Sequence, residues 1–379
     1  MNKKTKILLT NGHAVNNGDM ALVIALYNAL KKKGFEVSIA TFRYNFLKKQ
    51  YPELPFVREL LDYKFPVGAT FVKKIYLKLN LLFNYKYKSF DAYIGSPGGY
   101  MNSYYGLKKC LLPLVEAKKR NKKTAVYSQS VGPLNKRDIN LYSKSIDLLL
   151  VRDNYSKNCV DNTNCRSEVI QTKDAAFLIE PRKSNANNSK LVGISVRSWK
   201  HDNRNMEAYH KLIQLFCERV LMNGYDIEFI STCQGVPNYV DDSKTAAIIV
   251  KNILKKTPSL SNRIKIDSLF HSYFDLVDIL NTRYSFVIGT RLHMCMLSLI
   301  NGTPAFNISY EVKGKECYNY LGLEDYTSDF NASEEEAISK LDLFISNYKI
   351  IQKDISETIL TTHKESIKDL DQFLKEMEL

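Results

Sequence analysis

The sequence predicts an α/β protein made of two doubly wound, Rossmann-like domains facing a cleft, and three observations predict it. Short apolar strand candidates alternate with helical stretches along most of the chain, which is the pattern of parallel sheets covered on both faces. A polar, proline-interrupted segment, Glu180 to Lys190, divides that alternation into two halves. Glycine, serine and charged residues gather just after the strand candidates, where open α/β sheets bind ligands. The 379 residues, 45% of them apolar and 25% charged, suffice for more than one core.

The first unit opens with a strand over Ile7–Thr10, a loop over Asn11–Asp19, a helix over Met20–Lys33 and, after Gly34, a strand over Glu36–Phe42. That is a βαβ unit with a right-handed crossover. Strands follow at Asp91–Gly95, Thr124–Ser128 and Asp147–Val151, with helical spacing over Tyr104–Arg120. After the linker, strands are expected at Leu191–Val196, Asp226–Ser231, Ile264–Ile266, Ser285–Ile288 and Ala305–Ile308. The helices between them fall at Met206–Met222, Val240–Lys255, Tyr273–Leu280 and Arg291–Ile300. The domains expected are therefore 1–183 and 190–332, with 333–379 as charged C-terminal helices. No fixed-period repeat interrupts this plan.

Composition narrows the function classes. No apolar run approaches the ~18 residues of a membrane span, and only Ile7–Leu9 are continuously apolar after the first lysines, so a cytoplasmic protein is expected. Seven cysteines without a Cys-x-x-Cys pair imply neither a disulfide framework nor a zinc site, so they read as reduced packing thiols and no metal is expected. A P-loop Gly-Lys-Ser/Thr and a Gly-x-Ser-x-Gly elbow are both missing, which removes phosphate-loop NTPases and α/β-hydrolases.

The net charge of +14 is one-sided: residues 1–183 hold 32 Lys and Arg against 14 Asp and Glu, the remainder 22 against 26. From Lys64 to Lys88 six lysines and no acid are interleaved with Phe, Tyr, Leu and Ile. Apolar bulk with positive charge suits a helix on an anionic membrane surface, each lysine contributing about 1 kcal/mol. Peripheral docking on the inner face of the plasma membrane is the expectation, and nucleic acid is not an expected partner.

The sharpest constellation is Gly289-Thr290-Arg291-Leu292-His293, where a buried strand ends and a helix starts with Arg291 and His293 in its first turn. Two cations at the positive end of a helix dipole are unfavourable by ~0.3 to 1 kcal/mol each unless an anion joins them. Lys313 follows the next strand, and no Asp or Glu occurs between Asp278 and Glu311. The stretch thus offers Arg291, His293 and Lys313 to a small, highly charged anion. In the first half, Asn17 and Asp19 lie in the first strand-to-helix loop, and Gly98 and Gly99 follow a strand where they let a ligand approach the backbone. Ser130 and Arg152 end the next two strands, and Arg197 and Gln234 extend the same logic to the second half. The adjacent Asp241 and Asp242 read as capping or hydrogen-bonding residues rather than a metal pair.

In order, NNGD at 16–19, GSPGG at 95–99, SQSVGPL at 128–134, VRD at 151–153, DAAF at 174–177, GISVR at 193–197, STCQG at 231–235 with the following Asp pair, GTRLH at 289–293 and YEVK at 310–313 resemble the polysaccharide pyruvyl transferase family. The resemblance covers roughly residues 6–325. It implies a GT-B-like fold and transfer of pyruvate from phosphoenolpyruvate to two hydroxyls of one sugar in a bacterial surface polysaccharide precursor, with a cyclic ketal and phosphate as products. The family's phosphoenolpyruvate-site His and Lys fall on His293 and Lys313, with Arg291 beside them, and its acid/base arginine on Arg152. Phosphoenolpyruvate is then a co-substrate and no cofactor is implied; the first domain takes the sugar or lipid-linked oligosaccharide, the second the phosphoenolpyruvate. Glu311 departs from the Asp often found there.

His293 suits proton transfer because its unperturbed pKa lies near neutrality. A guanidinium stays protonated, so Arg152 is better suited to stabilising the departing phosphate. The alternatives are a GT-B glycosyltransferase using a nucleotide sugar, which would place a carboxylate in the acid-free stretch, and a binding protein driven by the basic first half.

Overall fold

The computed structural model describes the chain apart from residues 1–3, 13, 61–71, 73–74, 77–78, 81–84, 104–105, 162–167, 187–188, 199–204 and 311. It divides into two units. The first comprises Met1–Val15, Asp19–Leu178 and Lys364–Leu379, and the second Asn16–Gly18 and Ile179–His363.

In the first unit, β1 (Lys6–Thr10), β2 (Glu36–Thr41), β3 (Phe56–Arg58), β4 (Ala92–Gly95), β5 (Gly98–Met101), β6 (Lys123–Val131), β7 (Leu148–Val151) and β8 (Glu168–Gln171) form one sheet. Its order is β3-β2-β1-β4-β6-β7-β8, with β5 beside β6, and every pairing is parallel. The strand order reverses between β1 and β4, where Thr10 registers with Gly95. Helix α1 (Asn17–Lys32) makes the first crossover. Helix α2 (Leu107–Lys118) buries Leu107, Leu111, Leu114 and Ala117 in one cluster with Leu8, Tyr93, Val126 and Leu149 of the sheet. Burial of such side chains, about 1.5 to 3 kcal/mol each, is what holds helix to sheet.

The second unit's strands are β9 (Leu191–Ser195), β10 (Asp226–Phe229), β11 (Ile264–Ile266), β12 (Phe286–Gly289), β13 (Ala305–Ser309) and β14 (Thr327–Asp329). They run parallel in the order β11-β10-β9-β12-β13-β14, so the switch point lies between β9 and β12, with Gly289 opposite Ser195. The helices are α3 (Met206–Met222), α4 (Asp242–Lys256), α5 (Tyr273–Thr282), α6 (Leu292–Ile300) and α7 (Val312–Tyr320). Helix α6 is apolar all round and buried from Met294 to Ile300, as a helix packed on every side must be.

Four strands escape the sequence pattern. They are β3, β5, β8 and β14, each of three or four residues and none carrying a fully buried apolar run. One of them, β5, holds Gly98 and Gly99, which follow β4 as expected but are themselves paired to β6. Helix α4 also starts later than Val240, because Asp241 caps it by accepting from the Ser243 N–H.

Residues 333–379 are not a separate set of helices. They form one helix, α8 (Glu334–Glu376), whose residues through His363 belong to the second unit and whose end belongs to the first. Its buried side chains explain the split. Phe344 packs its ring against Phe286 and Phe306 in the second unit, and Phe373 lies edge-on to Tyr127 in the first. Among the described residues no helix is long and apolar enough to cross a membrane. Most of the basic stretch Lys64–Lys88, including Lys64, Lys73, Lys74 and Lys78, lies outside the described residues.

Among the described residues, most cysteines behave as packing thiols. Cys110, Cys217, Cys233, Cys295 and Cys317 are buried thiols, and burial pushes the Cys110 thiol up to about 11 and Cys295 up to about 12.

Candidate active site

In the second unit, β12 is buried throughout and ends at Gly289, where an added Cβ would stand 2.5 Å from Cys295 Sγ. Only glycine lets α6 fold back this tightly against the strand end. Thr290 then donates its N–H to the Ser195 carbonyl at 2.8 Å, tying β12 to β9 at the switch point. Tyr209 of α3 completes the tie: its hydroxyl bonds Thr290 Oγ1 at 2.7 Å and accepts the Arg197 N–H at 3.2 Å. Burial pushes the Tyr209 phenol above its ordinary value, so it remains a neutral hydrogen-bonding post.

Arg291 is the N-cap residue of α6, and neither a side-chain cap nor an acid occupies that helix's first turn. Its guanidinium does not stand free. Nε and Nη2 donate to Asp242 Oδ2 and Oδ1, both at 2.8 Å, with the Asp242 side chain fully buried. Ser231 Oγ donates to the same carboxylate at 2.6 Å. Burial pulls the Arg291 guanidinium down, but Asp242 overrides it and holds the group protonated above its ordinary value. The expectation of an unneutralised arginine is therefore corrected: the carboxylate comes from the start of α4, outside the acid-free stretch.

His293 stands in the first turn of α6, half-buried, beside residues from far upstream. A Cβ added to Gly18 would lie 2.7 Å from His293 Cβ. Asn16–Gly18 is grafted onto the second unit by the Asn17 N–H, which donates to the Thr232 carbonyl at 2.8 Å, and by Asn17 Nδ2, which donates to the His271 carbonyl at 2.5 Å. Asn17 and His293 thus lie in one unit, whereas Asp19 belongs to the other.

Arg197 lies with its guanidinium over the Tyr310 ring at 4.6 Å and bonds the Tyr310 hydroxyl. Gln234, expected to meet substrate, accepts the Ser231 N–H at 2.6 Å and donates to the Leu269 carbonyl at 2.9 Å and to Asp267 Oδ1 at 3.3 Å. The backbone of Lys313 lies in the first turn of α7, and its side chain, like all of Glu311, lies outside the described residues.

In the first unit, Arg152 follows β7 and is buried with Asp174, their side chains 3% and 7% exposed. Its Nη1 donates to Asp174 Oδ2 at 2.6 Å and its Nε to Ser130 Oγ at 2.8 Å. Ser130 in turn donates to Asp153 Oδ2 at 2.6 Å. Arg152 is thus a paired cation, and Asp174 of the DAAF motif is its counter-ion. At the switch point of this sheet, Asn11 Oδ1, Ser96 Oγ and Gln129 Oε1 are buried and without a partner among the described residues. Asn11 also takes a positive φ of 61°, held there by donating its N–H to the buried Glu59.

Sequence reasoning missed Asn11 and the His271–Asp267 pair. Asn11 carried no motif; the pair had a signal, since His271 follows Asp267 by four residues just after a strand.

The model of one family, described as polysaccharide pyruvyl transferase, matches residues 16–312. The amylovoran biosynthesis protein AmsJ of Erwinia amylovora is 27% identical over 308 residues, covering 73% of this chain and 71% of that protein. A solved UDP-N-acetylglucosamine 2-epimerase shares 11% identity at a TM-score of 0.62, covering 99% of this chain and 96% of its own. The UDP-GlcNAc 2-epimerase from Methanocaldococcus jannaschii gives a TM-score of 0.57 at 11% identity, over 90% of this chain and 92% of its own. These structures share the two-unit α/β fold, of the GT-B type. The family match runs through both units and spans every motif quoted above from NNGD to GTRLH, and the chain belongs to the polysaccharide pyruvyl transferase family.

Proposed function

We propose that this protein transfers pyruvate from phosphoenolpyruvate to two hydroxyls of one sugar in a surface polysaccharide precursor, forming a cyclic ketal and releasing phosphate. The observation that carries the reading is the start of α6: an uncapped, acid-free helix N-terminus at the switch point of the second sheet, with His293 in its first turn. The first N–H groups of a helix have no intrahelical partner and favour an anion, and phosphoenolpyruvate brings both a phosphate and a carboxylate. Because Asp242 neutralises Arg291, the arginine is better suited to fixing the helix start than to holding the anion alone. Lys313 and Arg197 supply the remaining positive charge in this reading.

The reaction protonates the methylene carbon, which gives oxocarbenium character at the central carbon. One hydroxyl adds there, phosphate leaves with the bonding electron pair, and the second hydroxyl closes the ring. His293 handles one of these protons. Such transfer contributes typically about 10²- to 10⁴-fold. Arg152, kept charged beside Asp174 and Ser130, acts on the departing phosphate. The buried, unpartnered oxygens of Asn11, Ser96 and Gln129 support reading the first unit as the sugar side. A lipid-linked acceptor agrees with a membrane-docking role for the basic stretch Lys64–Lys88, on the cytoplasmic side. The chemistry uses no cofactor beyond phosphoenolpyruvate itself.

The test incubates the full chain with phosphoenolpyruvate and lipid-linked oligosaccharides from cells lacking it. Phosphate release with a pyruvyl mass on the glycan is expected, and both are lost in His293→Ala with the fold intact. Consumption of a nucleotide sugar without pyruvyl gain would replace this reading with a glycosyltransferase.

A further inference from the structure

His271 sits in the loop between β11 and α5, with its Nε2 2.6 Å from Asp267 Oδ2. Asp267 follows β11 at the carboxyl edge of the sheet, and its other oxygen accepts the Leu269 N–H at 2.9 Å and Gln234 Nε2 at 3.3 Å. The carboxylate is therefore fixed before the imidazole meets it, and the imidazole is fixed in turn. Among the described residues Nδ1 of His271 has no partner, and the side chain keeps 16% of its surface. One ring nitrogen held by a fixed carboxylate and the other open is the arrangement that makes a histidine a directed proton carrier.

The position of the pair gives it a task. Asn17 Nδ2 donates to the His271 carbonyl at 2.5 Å, and the next residue, Gly18, is the one packed against His293. Both histidines thus flank the same tripeptide. Ketal formation moves two protons: two C–O bonds form at the central carbon of phosphoenolpyruvate and one C–O bond to phosphate breaks. One hydroxyl proton ends on the methylene carbon and the other on the departing phosphate. A single histidine beside the donor can serve one of those transfers at a time.

We propose that His271 is the second proton-transfer residue, with Asp267 as its positioning residue, receiving the proton of one acceptor hydroxyl and passing it to the leaving phosphate. This rests on the pyruvyl-transfer reading above. The pair's ordinary structural alternative is a brace for the loop before α5, and His271→Gln separates the two, since the glutamine amide still donates to Asp267.

The experiment measures phosphate release by the full chain, wild type, His271→Gln and Asp267→Asn, from phosphoenolpyruvate and extracted lipid-linked oligosaccharides. Phosphoenolpyruvate binding is followed in parallel by calorimetry. In His271→Gln we expect kcat to fall about 10²-fold or more with the binding constant and unfolding midpoint unchanged, and in Asp267→Asn a smaller fall of the same kind. Turnover by His271→Gln within threefold of wild type, with wild type active, overturns the proposal and leaves the pyruvyl-transfer reading standing. A fall in binding or stability that accounts for the lost rate also overturns it, assigning the pair to bracing. If wild type itself adds no pyruvyl group, both fall together.

Discussion

Arg291 and Asp242 form a two-pronged ion pair, both contacts at 2.8 Å, that pins the start of α6 to the start of α4. The carboxylate is fully buried and also holds Ser231, so removing its charge strands a guanidinium 11% exposed. The pair thereby fixes where α6, with His293 in its first turn, begins.

Breaking a buried pair from one side costs about 3 to 5 kcal/mol because the remaining charge is left uncompensated. Asp242→Asn keeps the size and removes the charge, so the unfolding free energy from its urea curve should fall by an amount of that order. A change under about 0.5 kcal/mol, the scatter of surface substitutions, would mean the pair contributes nothing to the fold.

Gly18 is tested by adding one methyl group. It lies in α1 with no left-handed backbone requirement, so alanine there is the better helix former by up to ~1 kcal/mol. The new Cβ, 2.7 Å from His293 Cβ, must push that side chain aside. In Gly18→Ala the melting temperature should hold while phosphate release from phosphoenolpyruvate falls about 10²-fold, the cost of a misplacement near 1 Å. Unchanged turnover would show that the contact does not position His293.

Asp147 supplies a pH dependence. Burial raises its carboxyl, but hydrogen bonds from Lys118 and Thr124 and the Lys118 charge outweigh this and hold it below its ordinary value of 3.8. A carboxyl lowered on folding stabilises the native state above its unfolded pKa, and that contribution fades as pH falls through the folded one. Since both partners are over a third exposed, the pair is worth at most about 1 kcal/mol. Urea curves of wild type and Asp147→Asn should therefore differ at neutral pH and converge as pH drops below 3.8. A gap that persists in acid would assign the effect to the Thr124 hydrogen bonds alone.

The alternation of strands and helices was legible because burial on both faces leaves an apolar run for every central strand. Each central strand of both sheets lies within a residue or two of its expected place, except β6, which extends to Val131. The edge strands β3 and β8 are half-solvated and β14, Thr327–Asp329, holds no apolar residue, so none offered a readable run. The motif positions followed from the same rule, since strand ends in such sheets are where ligands meet backbone.

The sequence by itself determined which residues stand at the strand ends: His293 after β12, Arg197 after β9 and Arg152 after β7. Only the tertiary structure decided what those residues touch. Arg291 finds its counter-ion 49 residues upstream, Arg152 finds Asp174 on the next strand end, and Gly18 reaches His293 across the sequence distance between two motifs. Parallel strands need long crossovers, so side chains that meet at the sheet edge are set far apart along the chain, and local pattern carries no record of which charges will neutralise which.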